Sequence, residues 1–502
     1  CYIVRLLADL YVTQRFIMRW RVWLSRRFID GWLGDRAYYR SQFSGRPIDN
    51  PEQRIQQDVD IFTTGVGGFT NNPMYHSGHT LLFGAVEAVL SVLSFGQILW
   101  RLSESLTIGG LTLPRALFWI VLVYVTVATI VAFVIGRPLI RLSFVNELRN
   151  ASFRYGLVRV REAAAAIGLY RGERAEGALS KGRLDAVMDN YRHWLNRMML
   201  FFGWNVSMSQ AINPLPWLVQ AQGLFAGRLT FGDVWQSSNA FAAIHDSLSF
   251  FRNAYDQFAS YRAAIIRLDG LVDQNVLAAT FRGVDSLESA DDAVAVDGVE
   301  VRRPDGTVLV DALDLQVSPG EGLVICGPSG IGKSVLLQSL AGLWPYASGR
   351  VALPAGSDAV MFVPQLPYLP LGDLRSVVTY PRRGGNDDRA IQRALIDVDL
   401  PQLVLRLNEV AEWATMLSVG EQQRIAFARV LLAKPKAVFL DESTSAMDEK
   451  LESVLYERLR AALPDAAIVT VSHRATVHGF HERRLELLGD GKWRLTRLAA
   501  SP

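Results

Sequence analysis

The chain has 502 residues, of which 50% are hydrophobic and 20% are charged, and its mean hydropathy is +0.16. Soluble domains carry about 25% charged residues, so this composition indicates membrane segments joined to a water-soluble part. It excludes a disordered, collagen-like or disulfide-rich chain. Residues 1–290 carry 29 Lys and Arg against 22 Asp and Glu, whereas residues 291–502 carry 23 against 27. Neither part is basic enough to predict a nucleic-acid partner.

Apolar runs in the first part predict membrane spans. Residues 1–18 are apolar on one face but contain Arg5, Asp9 and Arg15, which predicts a span partly buried in protein. Four further runs approach the 20 residues that a span needs, the last two being less apolar: 80–100, 116–136, 198–225 and 232–251. Five crossings before a cytoplasmic second part would place the N-terminus outside. We therefore expect a six-span unit whose first span is missing from this sequence.

The stretches between the spans predict long cytoplasmic helices. Residues 19–79 and 137–197 are rich in arginine, which favours the cytoplasmic side. Residues 51–62 begin with Pro51, and residues 157–197 contain a break near Gly168–Gly172. These helices are either solvated connectors or stalks that carry motion to the spans.

Polar residues in the last two predicted spans recur at helical spacing. Such side chains inside a membrane are costly and indicate function by default. The two candidate faces are Asn205, Ser209 and Asn213 in one span, and Gln236, Asn239 and Asp246 in the other. Each face either lines a water-filled cavity or makes hydrogen bonds between helices, and we favour the cavity. Pro214 and Pro216 predict a kink between the two faces.

The second part begins after a polar, acidic linker, which we place at 279–295. Strand-like and helix-like runs then alternate, which predicts an α/β domain with a largely parallel sheet. The loop Gly327–Ser334 fits G-x-x-x-x-G-K-[ST] between a strand pattern and a helix pattern, the context that a phosphate-binding loop requires. Its backbone amides are expected to cradle phosphate. Its members are Gly327, Pro328, Ser329, Gly330, Ile331, Gly332, Lys333 and Ser334.

Two further motifs lie downstream of this loop. The run Ala437–Glu442 is an apolar strand that ends in two carboxylates, Asp441 and Glu442, and it predicts a Mg²⁺ ligand and a water-activating group. The run Leu417–Arg424 reads LSVGEQQR and leads into a helix. Taken alone, this run predicts only a surface helix capped by Ser418.

The order of the motifs resembles that of ABC-transporter ATPases over residues 290–502. In this resemblance LSVGE is the signature motif, and Ser445–Asp448 is the D-loop. Lys333 and Ser334 then bind phosphate and Mg²⁺, and Gln365 and Asp441 complete the metal and water environment. Glu442 is the implied general base, and His473 the γ-phosphate sensor. Ser418 and Gly420 would contact ATP held by a second copy, so the resemblance implies a homodimer with two hydrolysing sites.

One residue departs from the pattern of many relatives. They stack adenine on an aromatic residue upstream of the phosphate loop, and Arg303 occupies that position here. A guanidinium can also stack on a base, so we expect Arg303 to contact the nucleotide. Preference for ATP over GTP follows from the resemblance alone.

Further motifs narrow the resemblance. GLWP at 342–345 and LPYL at 366–369 are similar to the branch that contains peroxisomal acyl-CoA transporters. WRVWL at 20–24, residues 49–62 and residues 245–266 resemble BacA/SbmA-like fused permease–ATPases, in particular the mycobacterial BacA-like type. This family implies an exporter-type (type IV) membrane domain, here 1–278, followed by a P-loop ATPase domain at 296–502. Its two cytoplasmic loops, at 49–59 and 161–176, would contain coupling helices that touch the ATPase.

The resemblance implies an ATP-driven, Mg²⁺-dependent importer of large hydrophilic solutes, such as cobalamin, bleomycin and antimicrobial peptides, in a bacterial plasma membrane. The polar faces of the last two spans agree with this solute class. Three alternatives remain open from the sequence: an exporter of lipids or drugs, an acyl-CoA transporter, and a membrane-tethered ATPase that moves no solute.

Overall fold

The computed structural model describes residues 2–45, 50–65, 81–103, 106–108, 111–356, 358–382 and 387–498. The chain forms two compact units. Residues 1–33 and 48–274 form the first, called the membrane unit below, and residues 34–47 and 275–502 form the second, called the ATPase unit. Thr80, expected at the start of a span, lies outside the described residues, as does Asp49 of the expected first cytoplasmic loop.

The first half of the chain is helical. Its elements are α1 (Tyr2–Leu33), α2 (Ala37–Arg40), α3 (Pro51–Gln53), α4 (Val59–Thr64), α5 (Leu81–Leu102), β1 (Leu106–Ile108), β2 (Leu111–Leu113), α6 (Ala116–Glu162), α7 (Ala164–Tyr170), α8 (Glu173–Ile212), α9 (Leu215–Phe225), α10 (Phe231–Asn253) and α11 (Tyr255–Thr280). A five-residue π-helical turn, Arg54–Asp58, joins α3 to α4. Pro51 occupies the first turn of this helical segment, where its missing N–H costs no hydrogen bond.

Two described helices are long and apolar enough to cross a membrane, α5 over Gly84–Leu102 and α6. The less apolar predicted spans are helical as well, in α8 to α10. Residues 213 and 214 separate α8 from α9, so the expected kink falls at Pro214. The cytoplasmic break predicted near 168–172 occurs at two points, Ala163 and Arg171–Gly172, which bound α7.

Apolar side chains and two ion pairs hold the membrane unit together. One cluster joins Leu99 of α5 and Val121 of α6 to Phe241 of α10. Two buried carboxylates follow on the segment 51–64. Asp58 accepts hydrogen bonds from Nε and Nη2 of Arg267 at 2.8 and 2.5 Å, and Asp60 lies 3.3 Å from Arg21 Nη1. The ion pairs therefore connect this segment to α1 and to α11.

The two polar faces predicted from the sequence have different surroundings. On α10, Gln236, Asn239 and Asp246 are all exposed, as a cavity-lining face requires. The other face is not uniform. Asn205 and Ser209 are partly buried, and Asn213 is exposed just beyond the end of α8. Only the α10 face therefore forms a continuous exposed polar surface in one chain.

The ATPase unit alternates strands and helices. Its strands are β3 (Asp285–Ser289), β4 (Val294–Arg302), β5 (Val308–Val317), β6 (Gly322–Cys326), β7 (Ala347–Pro354), β8 (Val360–Val363), β9 (Gly372–Asp373), β10 (Val410–Ala411), β11 (Ala437–Asp441), β12 (Ala467–Val471), β13 (Arg483–Gly489) and β14 (Lys492–Arg497). Its helices are α12 (Lys333–Leu340), α13 (Leu374–Thr379), α14 (Asp388–Asp397), α15 (Trp413–Met416), α16 (Val419–Ala433), α17 (Glu449–Ala462) and α18 (Ala475–His478).

Two main sheets organise this unit. A six-stranded sheet has the order β14-β13-β6-β12-β11-β8, in which every pairing except β14 with β13 is parallel. A four-stranded sheet has the order β3-β7-β4-β5. Strand β3 lies inside the range 279–295 that we expected to be a linker. Because β6 and β11 run parallel in one sheet, the motifs that follow them meet at the same edge.

The short segment around α2 packs within the ATPase unit. Nη1 of Arg36 donates to the carbonyl of Ala341, and Nη2 of Arg40 donates to that of Gly342 at 3.2 Å. The ring of Phe43 contacts Trp344 edge-on at 5.3 Å. This segment precedes residues 49–59, where the sequence had led us to expect the first ATPase contact. The residues 161–176 belong to the membrane unit.

Candidate active site

The phosphate loop connects β6 to α12, as its sequence predicts. Residues 327–332 form the loop, and Gly327, Gly330 and Gly332 all have positive φ. A Cβ at Gly327 would lie 2.8 Å from the carbonyl oxygen of Leu487, so this position requires glycine. Nζ of Lys333 donates to the carbonyls of Gly327 and Pro328, each at 3.0 Å, and burial lowers the pKa of this ammonium. The loop thus curls around the Lys333 ammonium.

The end of β11 faces the start of α12. Oγ of Ser334 donates to Oδ1 of Asp441 at 3.0 Å, so the hydroxyl and carboxylate expected to hold Mg²⁺ are adjacent. Burial raises the pKa of Asp441, and the neighbouring Glu442 adds to this effect, whereas the Ser334 hydrogen bond opposes it. A buried carboxylate with a raised pKa gains most from a cation.

The carboxylate of Glu442 lies between two other predicted residues. Nε2 of Gln365 donates to its Oε2 at 3.3 Å, and Nε2 of His473 lies 3.3 Å from its Oε1. Glu442 has a left-handed backbone with φ of 45°, which a residue with a side chain adopts at a cost. Three residues far apart in sequence therefore converge beside the phosphate loop.

The LSVGE segment begins α16. Ser418 caps the helix through a reciprocal pair of hydrogen bonds with Glu421, its Oγ accepting from the Glu421 amide at 3.3 Å. A Cβ at Gly420 would lie 3.0 Å from the carbonyl oxygen of Ala446, so the signature segment packs tightly on the D-loop. Capping and a role in contacting a second copy's nucleotide are compatible.

Gln423 joins three motifs, and the sequence did not single it out. Its side chain is fully buried; Nε2 donates to the carbonyl of Gln365 at 2.9 Å and to Oγ of Ser445 at 3.1 Å. Its Oε1 accepts from the amide of Ala446 at 3.1 Å. Gln422, its neighbour, instead donates to two carbonyls of the preceding segment. Two adjacent glutamines carry no sequence signal that tells which one faces the site.

A second unpredicted connection links the D-loop to the residue after His473. Arg474 donates to the carbonyls of Met447 at 2.8 Å and Ser445 at 3.0 Å. Its guanidinium also lies 3.6 Å from the buried carboxylate of Glu452, which accepts a hydrogen bond from Thr476. These contacts fix the D-loop relative to His473.

Arg303 lies beside the phosphate loop. Its Nη2 donates to the carbonyl of Gly330 at 3.3 Å. Together with Arg302, Pro304 and Tyr346 it lines an open cavity of about 310 Å³. Arg302 donates a hydrogen bond to Glu300. Of these two neighbouring arginines, Arg303 is therefore the one that contacts the phosphate loop.

Comparisons with known proteins agree with these motifs. Residues 2–225 match the family described as ABC transporter transmembrane region 2, and residues 310–445 match the family described as ABC transporter. An uncharacterized ABC transporter ATP-binding protein of Haemophilus influenzae is 36% identical over 97% of this chain and 80% of its own length. The human lysosomal cobalamin transporter ABCD4 is 29% identical over 98% of this chain and 83% of its own length.

A solved structure shows the same fold. The ATP-bound structure of a bacterial Atm1-family ABC exporter matches with a TM-score of 0.72 at 19% identity, over 96% of this chain and 82% of that chain. The predicted fold class is confirmed: an exporter-type (type IV) membrane domain precedes an α/β P-loop ATPase domain. The ATPase domain couples ATP hydrolysis to transport. The chain belongs to the ABC transporters, as a membrane domain fused to its own ATPase.

Proposed function

We propose that this ABC transporter imports large hydrophilic solutes across a bacterial plasma membrane, acting as a homodimer. The observation that carries the solute class is the exposed polar face of α10, formed by Gln236, Asn239 and Asp246. A helix that faces only lipid would not carry these side chains, because each is costly in hydrocarbon. The cobalamin named for the human relative is one candidate solute. Bleomycin and antimicrobial peptides are others, by the BacA/SbmA-like resemblance.

The same proposal assigns the residues of the hydrolytic site. Bound ATP and Mg²⁺ supply the phosphoryl group and neutralise its charge. Ser334, Asp441 and Gln365 supply the hydroxyl, carboxylate and amide oxygens that Mg²⁺ prefers. The 3.0 Å contact between Ser334 and Asp441 fits such a shared site. The phosphate loop and Lys333 hold the phosphates, and Arg303 contacts the base.

Glu442 acts as the general base that takes a proton from the attacking water. Its carboxylate is oriented by Gln365 and His473, each 3.3 Å away. His473 is thereby held where it senses the γ-phosphate. Ser418 and Gly420 contact the nucleotide of the second copy, which makes two chains necessary for two complete sites.

An acyl-CoA transporter is the less favoured reading. Such a cargo carries several negative charges and calls for a basic site. The stretches 81–100, 116–136, 198–225 and 232–251 contain no lysine or arginine, and among the predicted spans only residues 1–18 contain arginine, Arg5 and Arg15. Export on the same fold is distinguished from import by whether the solute enters or leaves the cells in the experiment below.

The deciding experiment is uptake of labelled cobalamin by a cobalamin auxotroph whose own transporter is deleted. We expect uptake on expression of the wild-type protein and none with Glu442→Gln. The exposed Glu449→Gln is the matched control and retains uptake. Absence of uptake with the wild-type protein, or uptake unaffected by Glu442→Gln, contradicts ATP-driven cobalamin import. Loss of preloaded solute from the cells would instead indicate export.

A further inference from the structure

Outside α1, the charged residues within the predicted spans are all acidic. The stretches 81–100, 116–136, 198–225 and 232–251 contain three formal charges, on Glu87, Asp233 and Asp246, and no lysine or arginine. Only α1 differs, because Arg5 and Arg15 accompany Asp9 in residues 1–18. A path bounded by these helices has a negative potential, which is strong where water is scarce.

Two of these carboxylates lie at the same level of the unit. A Cβ at Gly84 would meet the ring of Phe250 at 2.8 Å, which places these two residues opposite each other on α5 and α10. The helices run antiparallel, because Leu99, which follows Gly84, belongs to the same apolar cluster as Phe241, which precedes Phe250. Glu87 is one turn beyond Gly84 on α5, and Asp246 is one turn before Phe250 on α10. Both residues are exposed.

Asp246 is held by a buried histidine. Nδ1 of His245 lies 3.1 Å from Oδ1 of Asp246, and the carboxylate side chain remains 80% exposed. His245 itself is 4% exposed, and its Nε2 has no hydrogen-bond partner among the described residues. The imidazole thus orients a carboxylate toward open space, on the same helix face as Gln236 and Asn239.

Resting on the proposed function, we propose that His245 and Asp246 form a cation-binding site for the transported solute. Asp246 binds an ammonium or guanidinium group of the solute, and His245 is a positioning residue that fixes the carboxylate. Gln236 and Asn239 donate to and accept from the polar groups of the solute. A carboxylate at membrane depth is costly unless it meets a cation, and α5, α6, α9 and α10 carry no lysine or arginine within the stretches 81–100, 116–136, 198–225 and 232–251.

The test uses two peptides of equal length, four arginines and four glutamates, each carrying the same uncharged fluorophore. Full-length protein is placed in nanodiscs of uncharged lipid, and binding is measured by fluorescence anisotropy without nucleotide. We expect the arginine peptide to bind more tightly than the glutamate peptide. Asp246→Asn should weaken its binding about tenfold or more, the loss expected for a hydrogen bond between charged groups. His245→Ala should weaken it about fivefold.

The control variants distinguish the loss of a binding contact from a general effect of the substitution on the fold. Asp269→Asn makes the same charge change at an exposed position of α11 and should leave binding unchanged. Asp246→Glu should restore most of the affinity, and the ATP turnover of Asp269→Asn should remain near that of the wild type. Equal binding by Asp246→Asn and the wild type, or tighter binding of the glutamate peptide, overturns the proposal. A dimer that dissociates on Asp246→Asn also overturns it, because the carboxylate would then serve the contact between copies.

Uptake of the same peptides into proteoliposomes tests the proposed cation-binding site and the proposed import function separately. Binding that depends on Asp246, together with ATP-dependent uptake, supports both the site and the import function. Binding that depends on Asp246 without any ATP-dependent uptake supports the site and contradicts import. Uptake that is the same for Asp246→Asn and the wild type overturns the site and leaves import standing.

Discussion

Two histidines, one in each unit, are almost equally buried and have different surroundings. His481 in the ATPase unit is 5% exposed, and its ring nitrogens are 2.8 Å from the carbonyl of Val477 and 2.9 Å from the hydroxyl of Thr470. His245 in the membrane unit is 4% exposed, and only its Nδ1 has a partner among the described residues. The ATPase unit satisfies its histidine internally. In the membrane unit, one buried ring nitrogen of His245 is left without a partner in the described part of the chain.

Carboxylates also differ in their surroundings. In the ATPase unit, Glu452 is buried, and it accepts hydrogen bonds from Thr444 and Thr476 beside Arg474. In the membrane unit, Asp58 is likewise buried and paired with Arg267, whereas the side chain of Asp246 on α10 is 80% exposed. Buried and paired carboxylates fix the structure, whereas we propose that the exposed Asp246 is available to a solute. The predictions below test this division, from the largest expected effect to the smallest.

Glu442→Gln should reduce ATP turnover at least about a hundredfold, because general bases typically contribute 10²–10⁴ in rate. ATP binding should persist, since the amide keeps the size of the side chain and the phosphate loop is untouched. Phosphate release and nucleotide binding by the purified protein measure the two effects. Turnover within about twofold of that of the exposed Glu449→Gln variant would remove Glu442 from the proposed mechanism.

The stability of the ATPase unit should fall in acid through His481. Burial lowers the pKa of His481 to about 4, below its ordinary value of 6.5. Because the folded state binds this proton less readily than the unfolded state, stability is lost as the pH falls from about 6.5 toward 4. The loss by pH 4 is about 3 kcal/mol.

His481→Gln should show a smaller acid loss than the wild type. The measurement is the free energy of unfolding, or the Tm, of both proteins between pH 7 and pH 4. Parallel pH profiles would mean that His481 is not the residue whose protonation matters. The exposed His193→Gln change in the membrane unit should leave the profile unchanged.

Asp58→Asn should destabilise the membrane unit by about 2 kcal/mol. Breaking a buried ion pair costs about 3–5 kcal/mol, and the loss is smaller here because the Arg267 side chain is 35% exposed. The double change Asp58→Leu with Arg267→Met should regain most of the stability, since it removes both charges. Thermal unfolding in detergent measures all three proteins. A double variant less stable than Asp58→Asn would contradict this account of the pair.

Gln423→Ala and Gln422→Ala provide the smallest and most selective test. Both remove a buried amide, and each should cost about 1–3 kcal/mol of stability. Only Gln423 contacts Gln365 and the D-loop, so only its loss should lower ATP turnover, by about tenfold. Turnover measured below the Tm of both variants separates the effects. Equal turnover in the two variants would show that the contacts of Gln423 are merely structural.

For the ATPase unit, the sequence predicted the individual motifs better than the side-chain contacts between them. Phosphate loops and strand-terminal carboxylates are read from local spacing, and Ser334 and Asp441 do meet. The bridging by Gln423 and Arg474 was missed because it depends on tertiary packing between segments. The contacts of Arg36 and Arg40 were missed for the same reason, since neither arginine lies in a motif that predicts its partner.

In the membrane unit, helical spacing predicted one polar face well and the other poorly. Gln236, Asn239 and Asp246 share an exposed face because α10 is continuous through them. Asn213 lies beyond the end of α8, where Pro214 interrupts the helix, so periodicity no longer relates it to Asn205. Spacing also could not reveal that α1 extends to Leu33, well past the apolar run 1–18.

The left-handed backbone at Glu442 has a consequence for protein engineering. Asparagine tolerates this conformation better than glutamate, whose side chain makes it cost about 1 kcal/mol or more. A search for thermostable variants would therefore favour Glu442→Asn, which relieves the backbone and removes the carboxylate. By the proposed mechanism, screening this transporter for heat resistance alone would select proteins that bind nucleotide and no longer hydrolyse it.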